Sequence, residues 1–169
     1  MSAEESLCSR CACSGATCCQ KTEIFLTAGD VARIRGAGVR EEFWDHVAPT
    51  DEECKPDFSY DPVWSRIFDD RGRRRIIRHR EDGGCWFLTG RGCSLSLDAR
   101  PLVCRLYPFD YTPTTIKGVY GHLCPSPEKE NPPLLLAALG MNRDEAEQWR
   151  RQLYGEIAGE FSAAGGARR

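Results

Sequence analysis

The pattern of apolar positions predicts one long amphipathic helix near the end of the chain. Between Asn142 and about Ala163, apolar side chains recur at helical spacing and form one stripe: Ala146, Trp149, Leu153, Ile157 and Phe161. Asn142 is a favourable N-cap, and Glu145 follows three residues later, as in a capping box. We interpret the stripe as core packing against the rest of the domain.

Shorter elements are predicted in the first half of the chain. Apolar side chains at helical spacing predict a helix over Ala28–Arg35, with Thr27 as its N-cap. A short extended segment over residues 22–27 precedes this helix. A second short helix is expected over Glu41–Val47 because its apolar residues fall on one side. Residues 50–70 are rich in Pro, Asp and Glu, and they predict a loop.

Strand-like runs dominate the middle of the chain. The runs Arg73–Arg80 and Cys85–Thr89 are joined by Glu81–Gly84, whose Asp-Gly-Gly sequence favours the positive φ angles of a hairpin turn. A short helix is expected over Asp98–Cys104, with the aspartate as N-cap. Phe109–Tyr120 predicts a second hairpin.

The overall charge gives the chain no general affinity for polyanions. Its 169 residues carry a formal net charge of -2 at pH 7, and the pI is about 6.0. The exception is a basic patch over Arg71–Arg80, which would grip phosphate groups if it formed one surface. Acidic residues flank this segment at both ends, which favours a solvent-exposed hairpin arm whose arginines form ion pairs. No aromatic residues alternate with the arginines, so the segment lacks the side chains that stack on nucleic-acid bases. Nucleic acid is therefore not the expected partner.

The termini and the apolar runs indicate the compartment. The opening residues lack the basic n-region and apolar stretch of a secretory signal. The longest apolar run, Leu134–Leu139, is far shorter than the roughly 20 residues that span a bilayer. We therefore expect a soluble, cytoplasmic protein with no membrane partner. In a reducing compartment the ten cysteines predict metal ligation or catalysis, while disulfides are the alternative for an exported chain.

Eight of the cysteines stand at positions typical of metal ligands. Cys8 and Cys11 have the spacing that lets two thiolates converge on one ion, and the pair Cys18–Cys19 adds two thiols nearby. This stretch has no apolar period, so we expect a loop that is ordered only by ligation. The second half of the chain adds candidates beside turns, on the short helix and before a proline: Cys85, Cys93, Cys104 and Cys124.

The pair Cys18–Cys19 carries a geometric constraint. Successive side chains on an extended backbone point to opposite sides, so these two thiols are expected to bind different ions, or different irons of one cluster.

Two further residues are considered as metal ligands, with less support from the sequence. Cys54 lies in a polar loop and is interpreted as a bystander, and His122 is a candidate ligand for which a polar surface role is the simpler interpretation.

The sequence around these cysteines resembles the YkgJ-type cysteine-cluster family, described as zinc- or iron-chelating proteins. The family's C-x-F-L, G-C-x-I-Y and R-P-x-x-C-R-x-Y-P-F motifs are similar to Cys85-Trp-Phe-Leu, Gly92-Cys93-Ser-Leu and Arg100-Pro-Leu-Val-Cys104-Arg-Leu-Tyr-Pro-Phe109. Its C-x-x-C-x-x-C-C and L-T-x-x-D-x-x-R-I motifs resemble the opening cysteines and Leu26-Thr-Ala-Gly-Asp30-Val-Ala-Arg-Ile34. The resemblance covers about residues 8–125.

The resemblance implies a ligand set, with one position left open. Six residues, including Cys13, separate Cys11 from Cys18, where the family has two or three. Whether Cys8 or Cys13 is the fourth opening ligand is therefore undecided. The ligands implied position by position are Cys8, Cys11, Cys18, Cys19, Cys85, Cys93, Cys104 and Cys124.

These observations predict a single small α+β domain, in which a short hairpin region and a C-terminal helix surround a cysteine-ligated metal site. Residues 1–125 would form the metal-binding region, and residues 126–169 the C-terminal helical segment of the same domain. The expected partner is a metal ion. Iron, in an iron–sulfur cluster, is placed ahead of zinc because of the paired cysteines and Cys124-Pro125.

Two alternatives belong to other functional classes. One is a zinc-stapled interaction module that uses Arg71–Arg80 as its contact face. The other is a metal-cluster-dependent, protein-modifying enzyme similar to flagellin lysine methylases, which carry a related cysteine cluster. The sequence contains no phosphate loop, nucleotide fingerprint or nucleophile elbow. Whether the protein is an enzyme, and which substrate or protein partner it has, is not predicted.

Overall fold

Short helices and antiparallel strand pairs make up the part of the chain that the structure describes. This computed structural model describes residues 7–15, 17–20, 22–49, 61–121 and 124–166, with side chains as far as residue 160. The α-helices are α1 Leu7–Cys13, α2 Ala28–Gly36, α3 Leu102–Leu106, α4 Pro132–Leu139 and α5 Arg143–Gly166. The strands pair as β1 Trp44–Val47 with β2 Arg74–Ile77, β3 Leu88–Thr89 with β4 Gly92–Cys93, and β5 Phe109–Tyr111 with β6 Ile116–Val119. Three-ten helices cover Pro62–Ile67, Leu97–Ala99 and Pro127–Glu130. The predicted class, a single small α+β domain, is confirmed.

Helix α2 begins at the predicted N-cap and is fixed to α3 by a buried carboxylate. The Asp30 N–H donates to the Thr27 hydroxyl at 2.9 Å, and the Asp30 carboxylate accepts from the Thr27 N–H at 3.0 Å. The same carboxylate accepts from the Leu102 N–H at 3.0 Å and pairs with Arg33. Asp30 has 0% exposed surface. One side chain therefore caps α2 and holds the first turn of α3 in place.

The segment predicted as a short helix over Glu41–Val47 contains strand β1, so that prediction is wrong. Strand β1 pairs antiparallel with β2, with Trp44 opposite Ile77. The predicted extended segment lies at the other edge of β2, where Phe25 bridges to Ile76. Because β2 offers hydrogen-bonding partners on both sides, tertiary pairing overrides the weak helical pattern of a segment this short.

The predicted hairpin between Arg73–Arg80 and Cys85–Thr89 forms only at its turn. A bridge joins His79 to Cys85, but no further pairing between these two runs occurs in the described residues. Beyond the bridge the chain turns again, because the Leu88 N–H donates to the Cys85 carbonyl at 2.9 Å. The second run is therefore not extended, and its end pairs with β4 instead.

A proline divides the helix predicted over Asp98–Cys104. A three-ten turn covers Leu97–Ala99, and α3 begins only at Leu102, with Pro101 as its N-cap residue. Arg100 is extended, at φ -62° and ψ 143°. A residue that precedes proline avoids the helical region because of steric conflict with the proline ring, so the single predicted helix becomes two short turns.

Cys8, Cys11 and Cys13 lie on helix α1 rather than in the predicted loop, whereas Cys18 and Cys19 lie in a turn. Leu7, the first residue of the helix, is only 4% exposed and packs with Cys124 and Leu135. Helices are predicted from apolar residues that recur at helical spacing, and Leu7 is a single apolar residue. The sequence pattern therefore did not predict that Leu7 packs into the core. Ligation is therefore not the only interaction that orders this segment.

Helix α4 contains the apolar run Leu134–Leu139, for which the sequence pattern predicted no helix. Its start is capped by Asn131, whose side-chain oxygen accepts from the Leu134 N–H at 3.3 Å. Its end is Gly140, which takes the left-handed conformation at φ 64° that glycine adopts without strain. None of the helices that the structure describes is long and apolar enough to cross a lipid bilayer.

Two predictions for the second half of the chain are confirmed. Strands β5 and β6 form the hairpin expected over Phe109–Tyr120. Helix α5 starts after Asn142, whose side-chain oxygen accepts from the Glu145 N–H at 2.9 Å. On its apolar stripe, Ala146, Leu153 and Ile157 are buried as expected. The side chain of Phe161 lies outside the described residues.

Three packed clusters form the core. The β2 cluster has as buried members Ile24, Leu26, Ile34, Phe43, Ile77, Cys85, Phe87, Leu88, Leu95 and Ala99. The α5 cluster has Phe25, Ile76, Leu102, Leu106, Phe109, Ile116, Ala146, Leu153 and Ile157. The Leu7 cluster has Leu7, Cys124 and Leu135. The first and third clusters include cysteines, whereas the buried members of the α5 cluster that the structure describes do not.

Arginines of the Arg71–Arg80 patch form ion pairs with acidic residues from several parts of the chain. The pairs are Arg73–Asp69, Arg74–Glu23, Arg75–Glu160, Arg78–Asp45 and Arg80–Asp82. Asp69 and Asp82 are the acidic neighbours expected from the sequence. Each exposed pair contributes little stability, but together they connect β2 to β1 and α5.

We predict that replacing Asp30 by alanine destabilises the protein far more than replacing an exposed aspartate. Asp30→Ala leaves the buried N–H groups of Thr27 and Leu102 without an acceptor, and each unsatisfied group costs about 1–3 kcal/mol. The urea midpoint of metal-loaded protein, followed by circular dichroism, should fall by roughly 1 M. In the control Asp45→Ala, which removes an exposed pair with Arg78, the midpoint should move by less than about 0.3 M. Equal shifts would contradict the connecting role of Asp30.

Candidate metal centre

Helix α1 presents two thiols from one face. Cys8 and Cys11 are three residues apart, so their side chains project from neighbouring positions on the helix surface. The helix lies close to β4 at Gly92, where an added Cβ would stand 3.5 Å from the Ser9 Cα atom. Gly92 also has φ +95°, a conformation that other residues rarely adopt. The added Cβ would be in ordinary contact with α1, so the backbone conformation, and not the space beside α1, is what favours glycine at this turn.

The pair Cys18–Cys19 is held by hydrogen bonds to its backbone. The Cys19 N–H donates to the Thr17 hydroxyl at 3.1 Å, and the Thr22 hydroxyl donates to the Cys18 carbonyl at 2.8 Å. The Cys19 carbonyl accepts from the Cys85 N–H at 3.1 Å. These bonds fix the segment against the chain that follows β2, which brings the opening thiols to those of the second half.

Cys85 and Cys93 occupy two turns of the same kind. In each, the backbone N–H two residues later hydrogen-bonds to the cysteine sulfur: Phe87 to Cys85, and Leu95 to Cys93. Such bonds stabilise the charged thiolate. Cys104 projects from α3, and Cys124 is buried in the Leu7 cluster. Six separate segments thus contribute to one region.

All eight predicted ligands line a single cavity of about 280 Å³. They are Cys8, Cys11, Cys18, Cys19, Cys85, Cys93, Cys104 and Cys124. Much of the remaining wall is apolar and includes Ile24, Phe87, Leu95, Met141 and Trp149. Among the described residues, no three His, Cys, Asp or Glu side chains converge closely enough to hold a single ion. The sulfurs surround a space instead of meeting at one point.

Burial works against ionisation of most of these thiols. It raises the pKa of Cys85 to about 11, and it raises the pKa of Cys104 well above the ordinary value. Cys104 keeps some accessible surface because it faces the cavity, but protein surrounds it. The thiols of Cys19, Cys85 and Cys93 raise its pKa further. A cation in the cavity would reverse both effects, because a metal ion deprotonates the thiols that bind it.

Cys19 is the exception among the thiols. A hydrogen bond with Cys18 lowers the pKa of Cys19 to about 6, with further help from Thr17 and the positive charge of Arg100. The partner thiol shifts the other way, since this hydrogen bond and burial raise the pKa of Cys18. The two thiols therefore face each other, whereas the extended-backbone argument expected their side chains to diverge. The thiol with the lowered pKa is the easier one to ionise and can serve as the first ligand to capture a cation.

Two arginines line the cavity and have different roles. The Arg100 side chain hydrogen-bonds to Cys93, and it lowers the pKa of Cys8 through its charge. Arg105 is only 7% exposed and donates to the carbonyls of Arg100, at 2.8 Å, and of Asp98. Arg105 therefore stabilises the backbone that presents Arg100.

The other sequence candidates lie away from the cavity or outside the described residues. Cys13 is exposed, and its thiol donates to the Gly90 carbonyl at 3.1 Å. Cys8 rather than Cys13 therefore faces the other thiols. Cys54 and His122 fall outside the residues that the structure describes. His79 lies outside the cavity wall and hydrogen-bonds to the Thr22 carbonyl at 3.0 Å.

The sequence pattern missed part of the cavity wall. Met141 follows the end of α4, and Trp149 lies on the α5 stripe that was interpreted as core packing. The stripe predicted that Trp149 faces inward, but the sequence alone could not show that a cysteine-lined space lies there.

The donor set fits a thiophilic metal. Thiolates are soft ligands that select zinc, copper(I) and iron–sulfur clusters over magnesium or calcium, which prefer oxygen. Glu23 is the acidic residue on the described cavity wall, and its carboxylate pairs with Arg74. A site of this kind can hold cations, and with iron it can also store electrons.

Comparison with known proteins agrees with this chemistry. The family model CxxCxxCC, described as "Putative zinc- or iron-chelating domain", matches residues 7–125. No match was found among curated proteins or among solved structures. The matched residues include all eight cysteines of the cavity wall and make up well over half of the chain. The protein belongs to the CxxCxxCC family of metal-chelating domains.

Proposed function

We propose that this protein binds iron through the eight cysteines of the cavity, at least part of it as an iron–sulfur cluster. The observation that carries the proposal is that all eight thiols line one cavity of about 280 Å³. Iron–sulfur clusters are held by cysteine thiolates, and a proline after a ligand, as at Cys124-Pro125, is common in their loops.

The size of the cavity supports a polynuclear centre. A mononuclear zinc site closes four sulfurs around one ion at about 2.3 Å, which leaves no free space among them. The cavity is roughly nine times the ~30 Å³ that one water molecule occupies in the liquid. Sulfurs spread around such a space suit a centre with several metal atoms and bridging sulfide.

Zinc is the second candidate because the same thiolates bind it. Zinc would tie the segments together without redox chemistry, since Zn²⁺ does not change its oxidation state. The ion pairs within Arg71–Arg80 weigh against the interaction-module alternative, because they neutralise much of the proposed contact face.

The C-terminal segment is part of this proposal. Leu139, Met141 and Trp149 from α4, α5 and their connection complete the cavity wall. We therefore place residues 126–169 in the same domain as the cysteine-bearing region. The nine described cysteines are free thiols, which supports a reducing compartment such as the cytoplasm.

The first test is the composition of anaerobically purified protein. We expect iron together with acid-labile sulfide, and visible absorption that bleaches on reduction. Zinc alone gives a colourless protein, because Zn²⁺ has a filled d shell. If the purified protein is colourless and fully loaded with zinc, and if Fe²⁺ and sulfide do not reconstitute a cluster, the proposal of iron is wrong and zinc is the metal.

The second test contrasts two cysteines. Cys104→Ser removes a thiol from the cavity wall and should lower metal content by at least one equivalent. Cys13→Ser is the matched control, because serine can still donate to the Gly90 carbonyl and the site is left intact. Elemental analysis of both variants checks the prediction. Equal losses would show that cavity position does not identify the ligands.

The third test removes the metal. Helix α1 has only seven residues, too few to be stable alone, and its thiols face the cavity. Chelation should abolish hydrogen-exchange protection in residues 7–20, where ligation adds to the single anchor Leu7. Helix α5 should keep its protection, because its cluster packs without cysteines among the described buried residues. Unchanged protection of α1 in metal-free protein would be the contrary result.

A further inference from the structure

We propose that the cavity holds two separate metal centres, each bound by four thiolates, and that the pair Cys18–Cys19 divides them. This inference rests on the metal-binding function proposed above. The first quartet is Cys8, Cys11, Cys18 and Cys124. The second quartet is Cys19, Cys85, Cys93 and Cys104.

The second quartet is defined by packing in the β2 cluster. Cys85 is a buried member, and Cys19, Cys93 and Cys104 pack against that cluster. The backbone joins two of them directly, through the bond from the Cys85 N–H to the Cys19 carbonyl. Cys85 and Cys93 also share the turn geometry in which an N–H two residues later faces the sulfur. These four thiols thus share one packing cluster.

Two thiols of the first quartet belong to the Leu7 cluster instead. Cys124 is a buried member, and Cys11 packs against the same cluster. Cys8 is one helical turn from Cys11 and shares its face of α1. Leu7 holds α1 to the chain around Cys124, so these thiols belong to a second packing cluster, although α1 also contacts the β2 cluster through Ala12.

The adjacent pair contributes one thiol to each side. Cys18 and Cys19 are anchored separately, the first through Thr22 and the second through Thr17 and Cys85. Their packing differs as well. Cys19 packs against the β2 cluster together with Cys93 and Cys104, whereas Cys18 is not among the described residues that pack there.

The two centres would be neighbours rather than remote sites. Cys8, of the first quartet, also interacts with Cys19, of the second. A divalent ion bound by four thiolates keeps a net charge of about -2, so two such centres repel each other. Arg100 acts on thiols of both quartets, namely Cys8, Cys19 and Cys93, and its charge reduces that repulsion.

A double-mutant comparison tests the division. Cys11→Ser and Cys85→Ser each remove one ligand from a different quartet, and the double variant removes both. The probe is the iron, zinc and sulfide content of anaerobically purified protein, with Cys13→Ser as the matched control. Circular dichroism of the long helix checks that each variant is folded, and Cys93→Ser replaces Cys85→Ser if the buried position does not tolerate serine.

We expect each single variant to keep the metal of the intact quartet and to lose a different part of the wild-type metal and absorption spectrum. The losses should add in the double variant, since independent sites behave additively. A single variant that is folded but empties the whole cavity, or two singles with the same loss, would overturn the division while leaving the metal-binding function intact. Wild-type protein that carries neither iron nor zinc would instead overturn the proposed function, and this inference with it.

Discussion

Eight thiols that face one largely apolar cavity can be ionised together only if positive charge shares the cavity with them. Burial and mutual repulsion raise the pKa of buried thiols such as Cys85 and Cys104, and Arg100 supplies only one unit of positive charge. Bound cations are the remaining means of balancing the thiolates. Because the cavity thiols come from six segments with little regular structure of their own, cations bound by them would also connect the segments. Both the ionisation of the thiols and the connection of the segments around the cavity therefore depend on the interaction between thiolates and cations.

A second part of the fold stands apart from this requirement. The α5 cluster packs the long helix against α3 and the β5–β6 hairpin through aliphatic and aromatic side chains. Asp30 joins this part to α2, since its carboxylate caps that helix and accepts from the Leu102 N–H. Helix α3 carries Leu102 toward the apolar core and Cys104 toward the cavity, so a stable scaffold presents at least one ligand before any metal arrives.

The parts that the sequence predicted correctly are those with a strong local signal. Helix α5 has a sustained apolar stripe and an N-cap at Asn142, and α2 has a capping box at Thr27. The eight cysteines chosen from the sequence all line the cavity, while their role as ligands stays a prediction. The structure was needed to show that Cys13 is exposed and bonded to the Gly90 carbonyl. Strand β1 was missed because its pairing with β2 is a long-range interaction that no local pattern records. Helices α1 and α4 pack through Leu7 and Leu135, contacts that likewise join distant segments.

The distribution of the cavity thiols along the chain also sets the order in which they become available during synthesis. Cys8 and Cys11 emerge first, but Cys85, the next cavity thiol after the Cys18–Cys19 pair, is separated from them by most of the first half of the protein. At about 5–20 residues per second, that interval lasts several seconds. Throughout it, the opening thiols lack the burial and the neighbours that the finished cavity provides, and are open to oxidation or to capture of an unsuitable ion. The set of eight cavity thiols is therefore complete only after the ribosome has released the chain through Cys124.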